Sequence, residues 1–139
     1  MLVKEAMTKK VVTIEHTATV FDACMLYREK KVGCLVVVDG ENCVGIVTER
    51  DLIERSICMR RDPEKTLVKD IMSSDIKTVH SLDHVDTALE IMTRYHIKKL
   101  PVVMDNKIVG IITVTDISKT KSDLSKRFIE SWVKPTWKD

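Results

Sequence analysis

The spacing of apolar residues divides this chain into short predicted strands and helices. Residues 11–14 and 35–38 are apolar runs rich in β-branched side chains, which predict two buried strands. Between them, apolar side chains recur at intervals of three and four residues, as on one face of a helix: Val20, Ala23, Cys24 and Tyr27. A turn at Asp39 and Gly40 then leads into a returning strand over residues 43–47. We expect a parallel strand–helix–strand crossover followed by an antiparallel hairpin.

The same order of elements returns 65 positions later, without a gap, from residue 3 to residue 117. The second half predicts strands at 76–79, 100–104 and 108–112 and a helix capped by Ser81. Residues 3–7 and 68–72 match as lead-in segments of about one helical turn. Each repeat therefore reads strand, helix, strand, strand, helix, and the chain is predicted to be an α+β protein built from two pseudosymmetric units.

One seven-residue stretch closes each repeat, at residues 45–51 and 110–116. It reads Gly, two β-branched residues, Thr, two variable residues and Asp, and a helix is predicted to start at Thr48 (running toward Met59) and at Thr113. Thr-x-x-Asp at a helix start is a variant of the capping box, which explains the spacing structurally. The same carboxylate could instead accept the hydroxyls of a ribose, beside backbone N–H groups suited to phosphate. The two interpretations are compatible, and the residues alone leave both open.

Composition narrows the classes of function. The chain has 139 residues, 44% hydrophobic and 32% charged, with a net charge of +2, so no strong field favours nucleic acid or membrane. Its four cysteines form no Cys-x-x-Cys pair, which indicates thiols in a reducing compartment. No signal peptide and no apolar run near the roughly 18 residues of a membrane span is evident. We expect a cytoplasmic protein.

The element order, the 65-residue repeat and the paired Gly-h-h-Thr-x-x-Asp (h, apolar) resemble a tandem pair of cystathionine β-synthase (CBS) domains, also called a Bateman module. The lead-in at residues 68–72 resembles that family as well. The resemblance implies two β-α-β-β-α motifs packed sheet to sheet as one compact module. It places motif 1 at residues 1–62 and motif 2 at 63–120, with an amphipathic tail at 121–139 outside the repeat. It also implies regulation of an unknown protein partner, no catalysis and no required cofactor.

By resemblance, adenosine-containing ligands such as AMP, ADP, ATP or S-adenosylmethionine bind in two clefts between the motifs. The favoured cleft, site 2, is expected to be lined by Thr13, Ile14, Gly33, Cys34, Lys98, Thr113, Thr115 and Asp116. The other cleft, site 1, is expected to be lined by Thr48, Arg50, Asp51, Thr78, Val79, Lys99 and Pro101. Arg50, Lys98 and Lys99 are the candidate phosphate ligands, with solvated surface as their alternative role.

The two repeats differ in ways that bear on binding and assembly. Motif 1 carries Glu49 and Arg50 where motif 2 carries Val114 and Thr115, so we expect unequal affinities. On the first helix, Phe21 and Met25 add a second apolar face, whereas the counterparts 65 positions on are Asp86 and Glu90. When a helix is apolar on two faces, one face packs in the core and the other must be buried by a further element. This predicts a homodimer or docking of the tail.

Other classes of function receive little support. His80 and His84 are four residues apart, but no further ligand completes a metal site, and no signature of a nucleophile or P-loop is present. A nucleic-acid-binding role for the tail through Lys126, Arg127 and Lys134 is unfavoured, and a structural dimer with vestigial clefts is the remaining alternative.

Overall fold

Six strands alternate with short helices in the computed structural model, which describes residues 1–120. The predicted tail at 121–139 lies outside the described residues. In chain order the elements are α1 (Val3–Ala6), β1 (Thr13–Glu15), α2 (Val20–Lys30), β2 (Cys34–Asp39), β3 (Asn42–Thr48), α3 (Glu49–Leu52) with a π-helical continuation (Ile53–Ile57), α4 (Val68–Ile71), β4 (Val79–His80), α5 (Val85–Tyr95), β5 (Lys99–Met104), β6 (Lys107–Thr113) and α6 (Val114–Ser118).

The strands form two three-stranded sheets, ordered β1-β2-β3 and β4-β5-β6 within the described residues. β1 runs parallel to β2, with Thr13 opposite Val36, and β2 runs antiparallel to β3, with Cys34 opposite Thr48. β4 runs parallel to β5, with Val79 opposite Val102. The mixed α+β class, the crossover and the hairpin predicted from the apolar pattern are therefore confirmed.

The described chain divides into two compact units that do not follow its linear order. Among the described residues, the sheet-1 unit comprises Val11–Ile76 and Asn106–Ile108, and the sheet-2 unit comprises Met1–Lys10, Lys77–Asp105 and residues 109–120. Helix α1 thus belongs with the second sheet, and α4 belongs with the first. The sequence-based boundaries, 1–62 and 63–120, describe the repeat along the chain and stay a prediction.

Each unit has its own apolar core, supplied by the buried faces that the spacing of apolar residues predicts. In the sheet-1 unit the α2 positions Val20 and Ala23 are 1% and 0% exposed, and the lead-in residue Val68 is fully buried beside them. In the sheet-2 unit Val3 takes the equivalent place in the core with Val85 and Ala88. The lead-in helices therefore contribute core residues to the unit in which each is packed.

Each lead-in segment is also joined to its sheet by a short antiparallel bridge. Ser73 and Ile46 exchange two backbone hydrogen bonds of 2.9 and 3.0 Å, and Thr8 and Ile111 exchange two of 2.8 and 2.9 Å. The bridges bring the lead-ins against the glycines of the seven-residue stretches. At Gly45 and Gly110 the lead-in segment thus comes close to the backbone of the strand, which is possible because glycine has no side chain.

Two predicted features of the helices need correction. The helix in motif 2 is capped by His84, whose Nδ1 accepts from the backbone N–H of Asp86 at 3.1 Å, so the prediction that Ser81 caps it was wrong. Ser81 instead continues the strand pairing, since its N–H donates to Val103 and its carbonyl accepts from Lys4. The helix after Thr48 is α-helical only over Glu49–Leu52 and then becomes π-helical. In the part of the chain that the structure describes, no helix has the length and apolar character to cross a membrane.

Candidate functional site

The Thr48-x-x-Asp51 element forms a closed capping box at the start of α3. The Thr48 N–H donates to Asp51 Oδ2 at 2.9 Å, and the Asp51 N–H donates to Thr48 Oγ1 at 3.3 Å. The Thr48 hydroxyl lies 3.1 Å from the same carboxylate oxygen and donates to it. Oδ2 of Asp51 is therefore occupied by two donors from the cap itself.

The second element repeats this geometry at the start of α6. The Thr113 N–H donates to Asp116 Oδ2 at 3.0 Å, and the Asp116 N–H donates to Thr113 Oγ1 at 3.1 Å. Both side chains are half-buried. The capping interpretation drawn from the spacing is thus confirmed at both positions.

A third Thr-x-x-Asp, outside the seven-residue stretches, has the same geometry. Thr19 and Asp22 cap α2 with reciprocal hydrogen bonds of 3.1 and 3.1 Å. Nothing in the sequence or the resemblance assigns a ligand to this pair. A capping box is therefore sufficient to explain the hydrogen bonds, and a binding role must rest on what else surrounds each carboxylate.

The surroundings of Asp51 and Asp116 differ in charge. Nε of Arg55 lies 3.8 Å from Oδ1 of Asp51, whose side chain is 13% exposed. Among residues 1–120, no lysine or arginine lies within 4.0 Å of the Asp116 carboxylate. The carboxylate of Asp116 is thus the less neutralised acceptor of the two.

In the sheet-1 unit, the predicted site residues gather at one end of the sheet. β1 and β2 begin there with Thr13 and Cys34, and β3 ends there with Thr48, directly opposite Cys34. Gly33 precedes Cys34 at this edge and is exposed, while Ile14 points into the core and is 6% exposed. Backbone and hydroxyl groups therefore line this sheet end, with Asp51 one helical turn beyond it.

The sheet-2 unit shows the corresponding arrangement. The carbonyl of Lys98 accepts from the N–H of Val114 at 3.0 Å, so the start of β5 lies beside the start of α6. Thr78 immediately precedes β4 at the same sheet end. Their exposures differ: Lys98 and Thr115 are exposed, Lys99 and Thr78 are intermediate, and Val79 and Pro101 are buried. The grouping of residues from both motifs into each of the two sites stays a prediction.

The candidate phosphate ligand Arg50 already has an anionic partner. Its Nε donates to Glu54 Oε1 at 2.8 Å, and its side chain is 82% exposed. The hydrogen bond and negative charge of Glu54 raise the pKa of the Arg50 guanidinium. This is the geometry of a solvated i,i+4 pair on a helix surface.

Two residues near Asp51 were missed by the sequence analysis. The Tyr27 hydroxyl donates to the carbonyl of Val47 at 2.6 Å, and burial, followed by the nearby charges of Cys34, Glu49 and Asp51, raises the pKa of Tyr27. Arg55 contacts Asp51 as described above. The Asp51–Arg55 spacing of four residues was a usable signal, because such pairs share a helix face. Tyr27 had been interpreted only as a core position.

Other clusters in the described residues do not form a site. His80 and His84 each use Nδ1 to accept a local backbone N–H, from Leu82 at 3.0 Å and Asp86 at 3.1 Å. No group of three or more His, Cys, Asp or Glu side chains within residues 1–120 is placed to hold a metal ion. A shallow groove runs along α5, away from the predicted site residues, and is lined by Asp86, Leu89, Glu90, Thr93 and Arg94.

Comparison with known proteins identifies the class. The family model for the CBS domain matches residues 3–57 and 68–123. The chain therefore belongs to the CBS-domain family, as a pair of such domains. Proteins of this kind are generally regulatory modules and not catalysts.

Solved structures of CBS proteins share the fold. A CBS-domain protein of unknown function from Thermoplasma acidophilum, TA0289, matches with a TM-score of 0.81 and 30% identity over 95% of this chain and 75% of that one. The CBS domain pair of protein MJ0100, in complex with 5′-methylthioadenosine and S-adenosyl-L-methionine, matches with a TM-score of 0.74 and 29% identity over 86% and 94%. An uncharacterised Methanopyrus kandleri protein, MK0525, is 34% identical over 117 residues, 83% of this chain and 60% of its own length. The chain thus spans about 60% of the length of that relative.

Proposed function

We propose that this protein is a regulatory module that binds an adenosine-containing ligand through the carboxylates of its two closing stretches, with Asp116 as the stronger position. The ligand class comprises AMP, ADP, ATP, S-adenosylmethionine and close relatives. The module itself carries out no reaction and needs no cofactor.

The observation that carries this proposal is the state of Asp116. Its Oδ2 accepts the N–H of Thr113, while Oδ1 has no hydrogen-bond partner within residues 1–120. This oxygen is not among the buried unsatisfied atoms of residues 1–120, so it is open to solvent and can exchange water for a donor of a bound ligand. The vicinal hydroxyls of a ribose are donors of the right kind, and carboxylates accept ribose hydroxyls in dinucleotide-binding folds.

Neighbouring groups support the same assignment. The Thr113 hydroxyl and the exposed Thr115 and Lys98 lie on the elements around Asp116, so they offer hydroxyl and ammonium groups to the remainder of a nucleotide. A lysine near phosphate gives a short charge-assisted hydrogen bond. The MJ0100 relative, in complex with two adenosyl compounds, supports the ligand class.

At Asp51 we propose weaker binding, because the carboxylate is already shared with a cation. Arg55 lies 3.8 Å from Oδ1, and Oδ2 accepts two hydrogen bonds from Thr48. A ribose hydroxyl would compete with these groups for the same oxygens. Glu49 adds a second negative charge beside this position, which disfavours phosphate.

Regulation follows from a shift of population. A ligand stabilises the conformation that it binds best, and a protein partner recognises that conformation. The shift cannot exceed the ligand's differential affinity for the two conformations.

We also propose that the protein forms a homodimer, because Phe21 on α2 is 45% exposed beside Met25. We propose a cytoplasmic location because all four cysteines are thiols.

Isothermal titration calorimetry with AMP, ADP, ATP, S-adenosylmethionine and 5′-methylthioadenosine tests the proposal. We expect saturable heat with at least one of them, and a weaker signal for its 2′-deoxy analogue because one hydroxyl is lost. No heat and no thermal shift with any of them would favour a structural dimer. An affinity for nucleic acid that falls steeply with salt would favour the nucleic-acid alternative.

A further inference from the structure

Arg55 contacts two separate parts of the sheet-1 unit at once. Its Nη1 donates to the carbonyls of Ile71 and Met72 at 3.2 and 3.1 Å, at the C-terminal end of α4. Its Nε lies 3.8 Å from Oδ1 of Asp51. One guanidinium therefore joins the carboxylate of a candidate binding residue to the end of the lead-in segment, residues 68–72.

The local helix geometry presents Arg55 to both partners. Arg55 follows Asp51 by four residues, so the two side chains lie on the same side of the helix. The helix is π-helical from Ile53, with the N–H of Cys58 donating to the carbonyl of Ile53 at 2.8 Å. π-Helical turns are rare and are often found at functional sites.

The other repeat has no equivalent link within the described residues. The position 65 residues beyond Arg55 is Thr120, whose hydroxyl donates to the carbonyl of Ile117 at 2.7 Å. Its side chain therefore bonds back to the end of α6. In both repeats the lead-in is joined to the sheet by a β-bridge, but within residues 1–120 only the sheet-1 unit adds a charged side chain to that attachment.

We propose that Arg55 is a positioning residue that couples the contacts of the Asp51 carboxylate to the anchoring of the lead-in segment. The Asp51 carboxylate attracts the guanidinium across 3.8 Å and so favours the orientation in which Nη1 reaches the two carbonyls. A donor that takes Oδ1 weakens this attraction, and the segment then opens more often from β3. In return, the segment keeps Arg55 beside Asp51 and lowers the affinity of that carboxylate for neutral hydroxyl ligands.

Native-state amide hydrogen exchange tests the coupling without any ligand. The reporters are the N–H groups of Ser73 and Ile46, which form the bridge between the segment and β3. Arg55→Met should speed their exchange about tenfold, because two hydrogen bonds from a charged donor are lost. Asp51→Asn keeps an oxygen for the Thr48 N–H but removes the charge, and should speed exchange about threefold.

The double variant separates coupling from a merely structural role. With coupling, Arg55→Met/Asp51→Asn exchanges no faster than Arg55→Met alone. In an Arg55→Lys background, Asp51→Asn should have no effect, since a single ammonium cannot bridge both partners. Arg50→Met is the matched control, because among residues 1–120 that exposed arginine pairs with Glu54 alone, and it should leave both reporters unchanged. The proposal would be overturned if the increases in exchange rate of the two single variants multiply in the double variant, or if Asp51→Asn alone leaves the exchange rate unchanged.

A second experiment measures the binding of adenosine and therefore rests on the proposed function. We compare two proteins that both carry Asp116→Ala, one with Arg55 and one with Arg55→Met. The Arg55→Met protein should bind adenosine about threefold more tightly, because the Asp51 carboxylate loses its competing cation. Equal or weaker binding by Arg55→Met contradicts this expectation. If neither protein binds adenosine and the unmodified chain binds no adenosyl compound, the proposed function fails, while the exchange experiment still decides the coupling.

Discussion

A Cβ placed on Gly45 would lie 2.5 Å from Sδ of Met72 and 2.9 Å from the carbonyl oxygen of Ser73. The second repeat has the same relationship, since a Cβ on Gly110 would lie 2.5 Å from Sδ of Met7 and 2.9 Å from the carbonyl oxygen of Thr8. The methionine can move, but the backbone carbonyls are fixed by the β-bridges to Ile46 and Ile111. The glycine of the seven-residue stretch is therefore required by the lead-in that packs on it.

Gly45→Ala and Gly110→Ala should each lower the free energy of unfolding by about 1–3 kcal/mol, as overpacking of a close contact does. Urea unfolding followed by circular dichroism measures the loss. Gly40→Ala is the control, because a Cβ at Gly40 meets nothing within 4 Å and only its positive φ of 63° adds strain. Gly40→Ala should lose about 1–2 kcal/mol through its φ alone. No loss in either Gly45→Ala or Gly110→Ala would contradict the packing argument.

The three capping boxes allow binding to be separated from capping. Asp22→Ala, Asp51→Ala and Asp116→Ala each remove the carboxylate that accepts the N–H of the capping threonine, and each should cost about 0.5–1.5 kcal/mol of stability. Only Asp116→Ala, and to a lesser extent Asp51→Ala, should weaken an adenosyl ligand, by about tenfold or more per lost charged hydrogen bond. Calorimetric titration at matched folded concentration measures this. Unchanged affinity in both Asp51→Ala and Asp116→Ala would show that the site assignment is wrong.

Much of the fold could be predicted because the apolar pattern and the repeat agree. The buried face of α2 and the β2–β3 hairpin follow from local spacing that tertiary contacts do not oppose. The N-cap residue of α5 could not be predicted from local spacing in the same way. Ser81 satisfies its backbone through Val103 and Lys4, contacts that are distant in sequence, and this leaves the capping position to His84.

The candidate site was predictable in its motif and less so in its surroundings. The Thr-x-x-Asp spacing alone predicted both boxes, yet Thr19 and Asp22 show that this spacing is not specific to a binding site. The contacts of Arg55 with Ile71 and Met72 span 16 and 17 residues, and no local pattern encodes them. The placement of α1 in the sheet-2 unit and of α4 in the sheet-1 unit likewise depends on contacts that only the three-dimensional structure reveals.

Tyr27 should give the protein a distinctive loss of stability at alkaline pH. Burial, and then the charges of Cys34, Glu49 and Asp51, raise the pKa of Tyr27 in the folded state above the value of about 10 in an unfolded chain. Stabilisation by the neutral phenol is therefore complete below about pH 10 and is lost as the pH rises toward the folded pKa, because the unfolded chain ionises first.

Tyr27→Phe removes this titration and also the 2.6 Å hydrogen bond to Val47, so it should be less stable than the parent at pH 8 by about 1 kcal/mol. Between pH 9 and pH 11 its stability should fall less steeply than that of the parent, as measured by urea unfolding at each pH. Tyr95→Phe, at a residue that is 46% exposed, serves as the control for removing a tyrosine hydroxyl at the surface. Parallel slopes for Tyr27→Phe and the parent would contradict the assignment.

Ser56 should be replaceable by alanine with a gain in stability. Its side chain is fully buried in the π-helical turn, and its Oγ has no hydrogen-bond partner within residues 1–120. Leaving a buried hydroxyl unsatisfied costs about 1–3 kcal/mol, so Ser56→Ala should raise the free energy of unfolding by about 1 kcal/mol. Ser118→Ala on α6 is the matched control, because it shares the helix-propensity gain but loses a 2.7 Å bond to the carbonyl of Thr115. Differential scanning calorimetry should show a higher midpoint for Ser56→Ala than for Ser118→Ala. A destabilised Ser56→Ala would mean that an ordered water satisfies the hydroxyl in the native protein.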